Sequence, residues 1–182
     1  LPNSRRVVYL CDEDNSGTVD LMCGKLDGSG STRLSRDSLS GDDLAAGFSS
    51  GGIGYVAHVL PDSSYVIYTN DELLIERNEV FAIHPDGTGR TTLNAALSTD
   101  SSVSEVGVSE DDNLLVYTGD HNGDRGTELW VVTLPGFSAS QPVDLADVPL
   151  DAGSLAMPDT TGALFYSAFQ DSPTHREIYS VA

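Results

Sequence analysis

Four tyrosine-bearing runs constrain this chain more than any other feature. They are Val7-Val8-Tyr9-Leu10, Val66-Ile67-Tyr68-Thr69, Leu115-Val116-Tyr117-Thr118 and Leu164-Phe165-Tyr166-Ser167, with their tyrosines 59, 49 and 49 residues apart. Eleven residues after each tyrosine stands an acid that opens a second motif: Asp20-Leu21-Met22, Glu79-Val80-Phe81, Glu128-Leu129-Trp130 and Glu177-Ile178-Tyr179. A third motif precedes the last three tyrosines, as Val59-Leu60-Pro61-Asp62, Val108-Ser109-Glu110-Asp111 and Met157-Pro158-Asp159. A fourth, Asp27-Gly28-Ser29-Gly30 and Asp86-Gly87-Thr88-Gly89, follows the acid and leads to Leu34 and Leu93. Motifs held in constant register along a chain mark an internal repeat, and a repeat dictates the architecture before any local reading does.

Each copy reads as four strands. In the second copy they are expected at Tyr55–Leu60, Ser64–Asn70, Asn78–His84 and Arg90–Asn94, rich in β-branched and aromatic residues and separated by Pro-Asp, Asn-Asp and Asp-Gly turn signals. No long segment carries a 3.6-residue apolar period, so helices are minor, with Asp42–Phe48 at most a single turn. Four-stranded units repeating every ~45–50 residues are the signature of propeller blades. The expected fold is all-β: a β-propeller of about four blades with four-stranded antiparallel sheets, forming one domain over 1–182 with blade repeats at about 1–50, 51–100, 101–150 and 151–182. Stacked blades would bury the tyrosines between sheets.

The motif set resembles a known family. The stretch VLPDSSYVIYTNDE…NEVFAIHPDGTGRTTLN, from Val59 to Asn94, looks like the TolB-type propeller repeat, which runs roughly S-P-D-G-x-x-I-A-Y-x-S and then E-I-Y-x-x-x-x-D-G-x-G-x-x-x-L-T. The resemblance weakens at 108–146, where Leu134-Pro135-Gly136 replaces the Asp-Gly turn, and is partial at both ends. It implies propellers that mostly bind proteins, some of which gate substrate access in serine peptidases; fold alone does not fix function.

Copy one begins at its second strand and copy four stops at its third, so the propeller is expected to be open or incomplete at both ends, with about fourteen strands of a sixteen-strand set. Three readings follow: a piece of a longer propeller, a subunit whose open blade edges pair with a neighbour, or a self-closed ring of four blades. Exposed edge strands are templates for another chain, and head-to-tail pairing that does not close gives a filament. Leu1-Pro2-Asn3-Ser4 shows neither an initiator Met nor a signal-peptide pattern, which suggests a processed form or a piece of a longer chain.

Charge excludes some partners. Against 28 Asp and Glu stand 9 Lys and Arg, of which Lys25 is the one lysine, giving a net charge of −19. Nucleic-acid backbones and anionic membranes would be repelled. No apolar run approaches the ~18 residues of a membrane helix.

Candidate chemistry is sparse. Gly47-Phe48-Ser49-Ser50-Gly51 matches G-x-S-x-G, but it lies in an insertion between copies and lacks the strand and helix that a nucleophile elbow needs. His58, His84, His121 and His175 fall at different repeat positions and show no zinc-ligand spacing. Asp12-x-Asp14-x-Ser16-Gly17-x-x-Asp20 alternates acids before a glycine, so Asp12, Asp14 and Asp20 are a candidate calcium site. Asp120-x-Asn122-x-Asp124 with Glu128 repeats the pattern in copy three, and copy two, with Asp71, Leu73 and Ile75, does not. The competing reading is a solvated hairpin whose Asp and Asn side chains bond their own turn. Cys11 and Cys23 lie on the two strands of that hairpin and are expected to face each other in a disulfide. The alternative is two buried thiols packing as small hydrophobes.

These residues point to a non-enzymatic, exported module, secreted, cell-surface or periplasmic, acting as a protein-interaction scaffold with no cofactor beyond calcium. The alternatives are a structural subunit of an extracellular filament and a propeller fragment of a larger hydrolase. Partners are a protein or a further copy meeting the terminal blades, with no nucleic acid and no membrane insertion.

Overall fold

The computed structural model describes residues 5–12, 20–35, 57–70, 77–99, 101–109, 111–121, 127–134, 136–137, 141–142, 154–156, 164–168, 175 and 177–181. They form fourteen β-strands and, among the described residues, no helix. In chain order these are β1 (Arg6–Cys11), β2 (Asp20–Lys25), β3 (Ser31–Arg33), β4 (His58–Val59), β5 (Val66–Asn70), β6 (Glu79–Ile83), β7 (Thr91–Thr92), β8 (Val103–Val108), β9 (Leu114–Gly119), β10 (Glu128–Thr133), β11 (Gln141–Pro142), β12 (Ser154–Ala156), β13 (Leu164–Ala168) and β14 (Glu177–Val181). They make four antiparallel sheets in sequence order: β1-β2-β3, β4-β5-β6-β7, β8-β9-β10-β11 and β12-β13-β14. The chain divides into two compact units, Leu1–Thr92 and Leu93–Ala182, each holding two sheets.

The sequence spacing becomes strand register. The four tyrosines lie on equivalent strands, and each stands opposite the residue thirteen later: Tyr9 with Met22, Tyr68 with Phe81, Tyr117 with Trp130 and Tyr166 with Tyr179. The acid pairs with the residue two beyond the tyrosine, as Cys11 with Asp20, Asn70 with Glu79, Gly119 with Glu128 and Ala168 with Glu177. Cross-strand partners share a face and successive residues alternate, so the tyrosine, the acid and the tyrosine's partner, which is Met22 in sheet one and an aromatic in the other three, all lie on one face of their sheet. Sheet three departs once from regular pairing, at a bulge between Val103 and Glu105.

In the first unit that face of sheet two meets the opposite face of sheet one. Leu21, Cys23, Leu34, Val66, Tyr68, Phe81 and Ile83 form one buried cluster, with Val8, Leu10 and Val59 packed against it. Tyr68 and Tyr117 are fully buried, as expected for blade-core tyrosines, whereas Tyr9 is only half-buried. Burying a large aromatic of this kind is worth about 3–5 kcal/mol against truncation to alanine.

Of the strand expected at Tyr55–Leu60, residues 55 and 56 lie outside the described residues; elsewhere in copy two the strands stop short of their expected limits where turns take the flanking groups. Leu60 N–H donates to Tyr65 O and His84 N–H to Thr88 O, which closes the β4–β5 and β6–β7 hairpins before the strands reach full length. Gly28 and Gly87 occupy the left-handed region at φ 74° and 85°, where the Asp-Gly turns reverse the chain. Ser63 and Asp112 take the same left-handed conformation in the equivalent turns before β5 and β9.

Candidate functional site

The repeated polar residues are the natural place to look for chemistry, and the structure engages them locally. Asp62, Asp86, Asp27 and Asp111 each accept the backbone N–H two residues on, from Ser64 (2.9 Å), Thr88 (3.0 Å), Ser29 (2.9 Å) and Asn113 (3.2 Å). These side chains mimic a backbone turn, which is why Asp recurs there. The Ser64 and Thr88 hydroxyls add bonds of 2.6 and 2.7 Å to Asp62 and Asp86. Asp111 also accepts from the Ser109 hydroxyl at 2.6 Å and the Asn113 amide at 2.7 Å. All four carboxyls are held below the usual carboxylate range. The leading cause is the Ser29 backbone N–H for Asp27 and the hydroxyls of Ser64, Thr88 and Ser109 for Asp62, Asp86 and Asp111.

The acid that opens the third strand of each repeat is also engaged. Buried Asp20 pairs with Arg33 at 2.5 Å and accepts from the Ser35 hydroxyl at 3.4 Å, while the Ser35 oxygen accepts the Leu21 N–H at 3.0 Å. Glu79 pairs with Arg77 at 3.4 Å, and Glu128 accepts the His121 backbone N–H at 2.8 Å across the β9–β10 connection. One register position thus performs three local tasks: closing onto an edge strand, holding an arginine and tying a hairpin.

The calcium loop expected at Asp12, Asp14 and Asp20 is described only in part. Asp14 lies outside the described residues, as do Asn122, Asp124, Asp71, Leu73, Ile75 and the Gly47–Gly51 motif. Asp12 follows β1, and Asp20 is turned to Arg33. Among the described residues no group of three His, Cys, Asp or Glu side chains is placed to hold a metal.

The expected Cys11–Cys23 bridge is corrected by the strand register. Cys11 stands opposite Asp20 and Cys23 opposite Val8, three positions further along the hairpin. An odd offset puts the two thiols on opposite faces, and three residues of extended strand separate them by far more than the 4.4–6.8 Å between Cα atoms that a disulfide spans. The cysteines are unbridged, with Cys23 buried in the inter-sheet cluster and Cys11 half-exposed on the other face.

Two features lay beyond sequence reasoning. The Arg90 guanidinium covers the Phe81 ring at 3.9 Å, and its Nε donates to the Tyr68 hydroxyl at 3.2 Å. In sheet three His121 holds the comparable place over Trp130, with ring centres 4.1 Å apart, beside Tyr117. The tyrosine hydroxyls also reach back to the chain leaving the preceding repeat: Tyr68 donates to Leu34 O at 3.4 Å, and Tyr117 accepts from Ala95 N–H at 2.9 Å. The sequence signals near these contacts were Leu34 and Leu93, which follow β3 and β7.

Repeated antiparallel sheets, aromatic pairs on a shared face and Asp-capped hairpins define a propeller-type all-β repeat protein. Solved structures agree. A protein assigned as TolB from Agrobacterium tumefaciens matches 97% of this chain and 57% of its own length, at 11% identity and a TM-score of 0.54. An oligogalacturonate lyase in complex with manganese matches 89% of this chain and 39% of its own length, at 16% identity and a TM-score of 0.51. The fold is that of TolB-like β-propellers, and this chain spans little more than half the length of such proteins at most. No protein-family model matches the chain, and no curated protein matches it.

Proposed function

We propose that this protein is a non-enzymatic β-propeller module, exported from the cytoplasm, that serves as a protein-interaction scaffold. The four repeats are taken as blades of one domain over 1–182. The observation that carries the reading is the use of the repeated carboxylates. Asp27, Asp62, Asp86 and Asp111 are bound into their own turns, and Asp20, Glu79 and Glu128 hold a neighbouring arginine or backbone group. The repeat spends its polar residues on shaping hairpins, which is what a rigid platform requires. Export rests on the TolB-type resemblance, since the unbridged Cys11 and Cys23 lend no support to an oxidising compartment.

Cross-linking in native cells with a photoactivated or carboxyl-directed reagent tests the proposal, because Lys25 is the one lysine and amine chemistry would miss most of the surface. The expected result is a protein partner joined at a few residues, together with no turnover of peptides or oligogalacturonates by the purified chain. Turnover of either substrate by the purified chain overturns the non-enzymatic reading.

A further inference from the structure

Sheets two and three cover the same position with different side chains. In sheet two the Arg90 guanidinium lies over the Phe81 ring, and its charge is fixed at any ordinary pH. In sheet three the ring beside Trp130 is that of His121, whose charge changes within the physiological range. Phe81 and Trp130 share one register position, each opposite the tyrosine of its sheet. A titratable cation thus stands where the preceding repeat has a permanent one.

His121 follows β9 and is held from three sides. Its backbone N–H donates to Glu128 Oε2 of β10 at 2.8 Å. Its ring centre lies 4.1 Å from that of Trp130 and 5.7 Å from that of Tyr117. Its Nδ1 lies 3.2 Å from Ala96 O, which can only accept, so the proton of the neutral ring sits on Nδ1 and Nε2 is left to take a second. Ala96 belongs to the segment 93–99 that leads toward β8, and the Tyr117 hydroxyl holds the neighbouring Ala95 N–H. The Trp130 indole N–H is buried without an acceptor among the described residues, so this ring is positioned by what lies on its faces.

The charges around His121 favour its protonated form. Glu128 on β10 and Asp120 before it in the chain are acids, Tyr117 on β9 is neutral, and the 93–99 segment offers the Ala96 carbonyl. Glu105 of β8 stands opposite Thr118 and so lies on the other face of the sheet. From Leu93 to Ala182 the sequence has 14 Asp and Glu against two arginines, Arg125 and Arg176. The ring is half-buried, so desolvation opposes the charge only in part.

We propose that His121 is a pH-operated clasp of sheet three: its protonated ring grips Trp130 and the Ala96 carbonyl and draws the 93–99 segment onto the sheet, and its neutral ring holds both less tightly. On protonation the stack becomes a cation–π contact and the bond to Ala96 becomes charge-assisted. Both effects favour the charged ring in the folded protein. The stability they contribute is present below the ordinary histidine value of about 6.5 and is lost as pH rises above it. The module thereby has a joint that is firm in acid and looser at neutral pH, whatever partner it binds.

Trp130 is the one tryptophan, which gives the clasp a specific readout, because a protonated imidazole quenches indole emission more strongly than a neutral one. The purified chain is titrated at constant ionic strength from about pH 8 to about pH 5, across the histidine range. Wild type is expected to lose emission in one step with its midpoint above the ordinary histidine value, and His121→Gln and His121→Arg to show no step. At about pH 5.5 wild type should melt about 2–4 °C above His121→Gln, with the gap closing by about pH 8. Comparing variants at one pH removes the general effect of neutralising the acidic surface. A step that survives in His121→Gln overturns the proposal. So does a melting gap that is the same at both pH values, which would make His121 a packing residue only. If His121→Gln fails to fold by circular dichroism, the imidazole proton resonance that His121→Arg lacks supplies the midpoint, and a value at or below that of ordinary histidine overturns the proposal as well.

Discussion

The guanidinium carbon of Arg90 lies 3.9 Å from the centre of the Phe81 ring. The same side chain bonds the Tyr68 hydroxyl, so one arginine fixes both members of an aromatic pair that stand opposite each other on β5 and β6. Arg90→Lys keeps the charge but loses the flat stack and the fixed Nε donor. Chemical denaturation should show a loss of about 1–2 kcal/mol for Arg90→Lys, in the range of a partly desolvated cation–π contact. An unchanged midpoint would mean that the stack contributes nothing.

Gly28 and Gly87 share a left-handed conformation but differ in surroundings. A Cβ at Gly28 would meet nothing within 4 Å, whereas one at Gly87 would come 2.9 Å from the Thr32 methyl. Gly28→Ala should cost about 1 kcal/mol, the strain of a left-handed alanine. Gly87→Ala should cost more, and Thr32→Ser, which removes the opposing methyl, should erase the difference. Thermal melts of wild type, the three single variants and the Gly87→Ala/Thr32→Ser double variant check this directly.

The four turn carboxylates set a pH window. Their folded values lie below the ordinary 3.8, so the stability they contribute is fully present above that value and is lost as pH falls through the lower folded values. Between pH 7 and about 5 these groups add no pH dependence. Replacing Asp27, Asp62, Asp86 and Asp111 together by asparagine, which can still accept the turn N–H, should flatten the decline in melting temperature below pH 4. A decline as steep as that of wild type would place the acid sensitivity elsewhere.

Asp20 is paired with Arg33, so the first hairpin should show no preference for calcium. Millimolar calcium and sodium chloride of matched ionic strength are expected to raise the melting temperature equally, through screening of the acidic surface. A rise specific to calcium that disappears in Asp14→Ala would instead establish Asp12, Asp14 and Asp20 as a calcium site.

Cys11 and Cys23 should behave as two thiols of unequal access. Iodoacetamide should modify Cys11 well before buried Cys23 in the folded protein, and the non-reduced intact mass should match the reduced one. Equal protection of both from alkylation until a reductant is added would revive the bridge.

How far the sequence carried is clearest along the first hairpin. The eleven-residue step from Tyr9 to Asp20 was legible, and it became the pairing of Cys11 with Asp20, because strand periodicity and turn chemistry act over short range. The cysteine reading failed on the same hairpin. Placing two residues on facing strands does not fix their faces, and register parity decides that. Arg90 over Phe81 and Tyr117 on Ala95 depend on how chain segments fold onto a completed sheet, for which no spacing rule exists.

The constant register has a consequence for how such a chain can be altered. The segments Val7–Gly24, Val66–Ile83, Leu115–Val132 and Leu164–Val181 are of equal length, and in each the first residue pairs with the last. They are interchangeable parts. Duplication, loss or transplantation of a whole hairpin keeps every inward side chain inward, whereas one residue gained or lost inside a strand turns the rest of that strand inside out. Such a chain tolerates change in whole hairpins far more readily than in single residues, which gives a modular route for diversifying its loops while the sheets stay fixed.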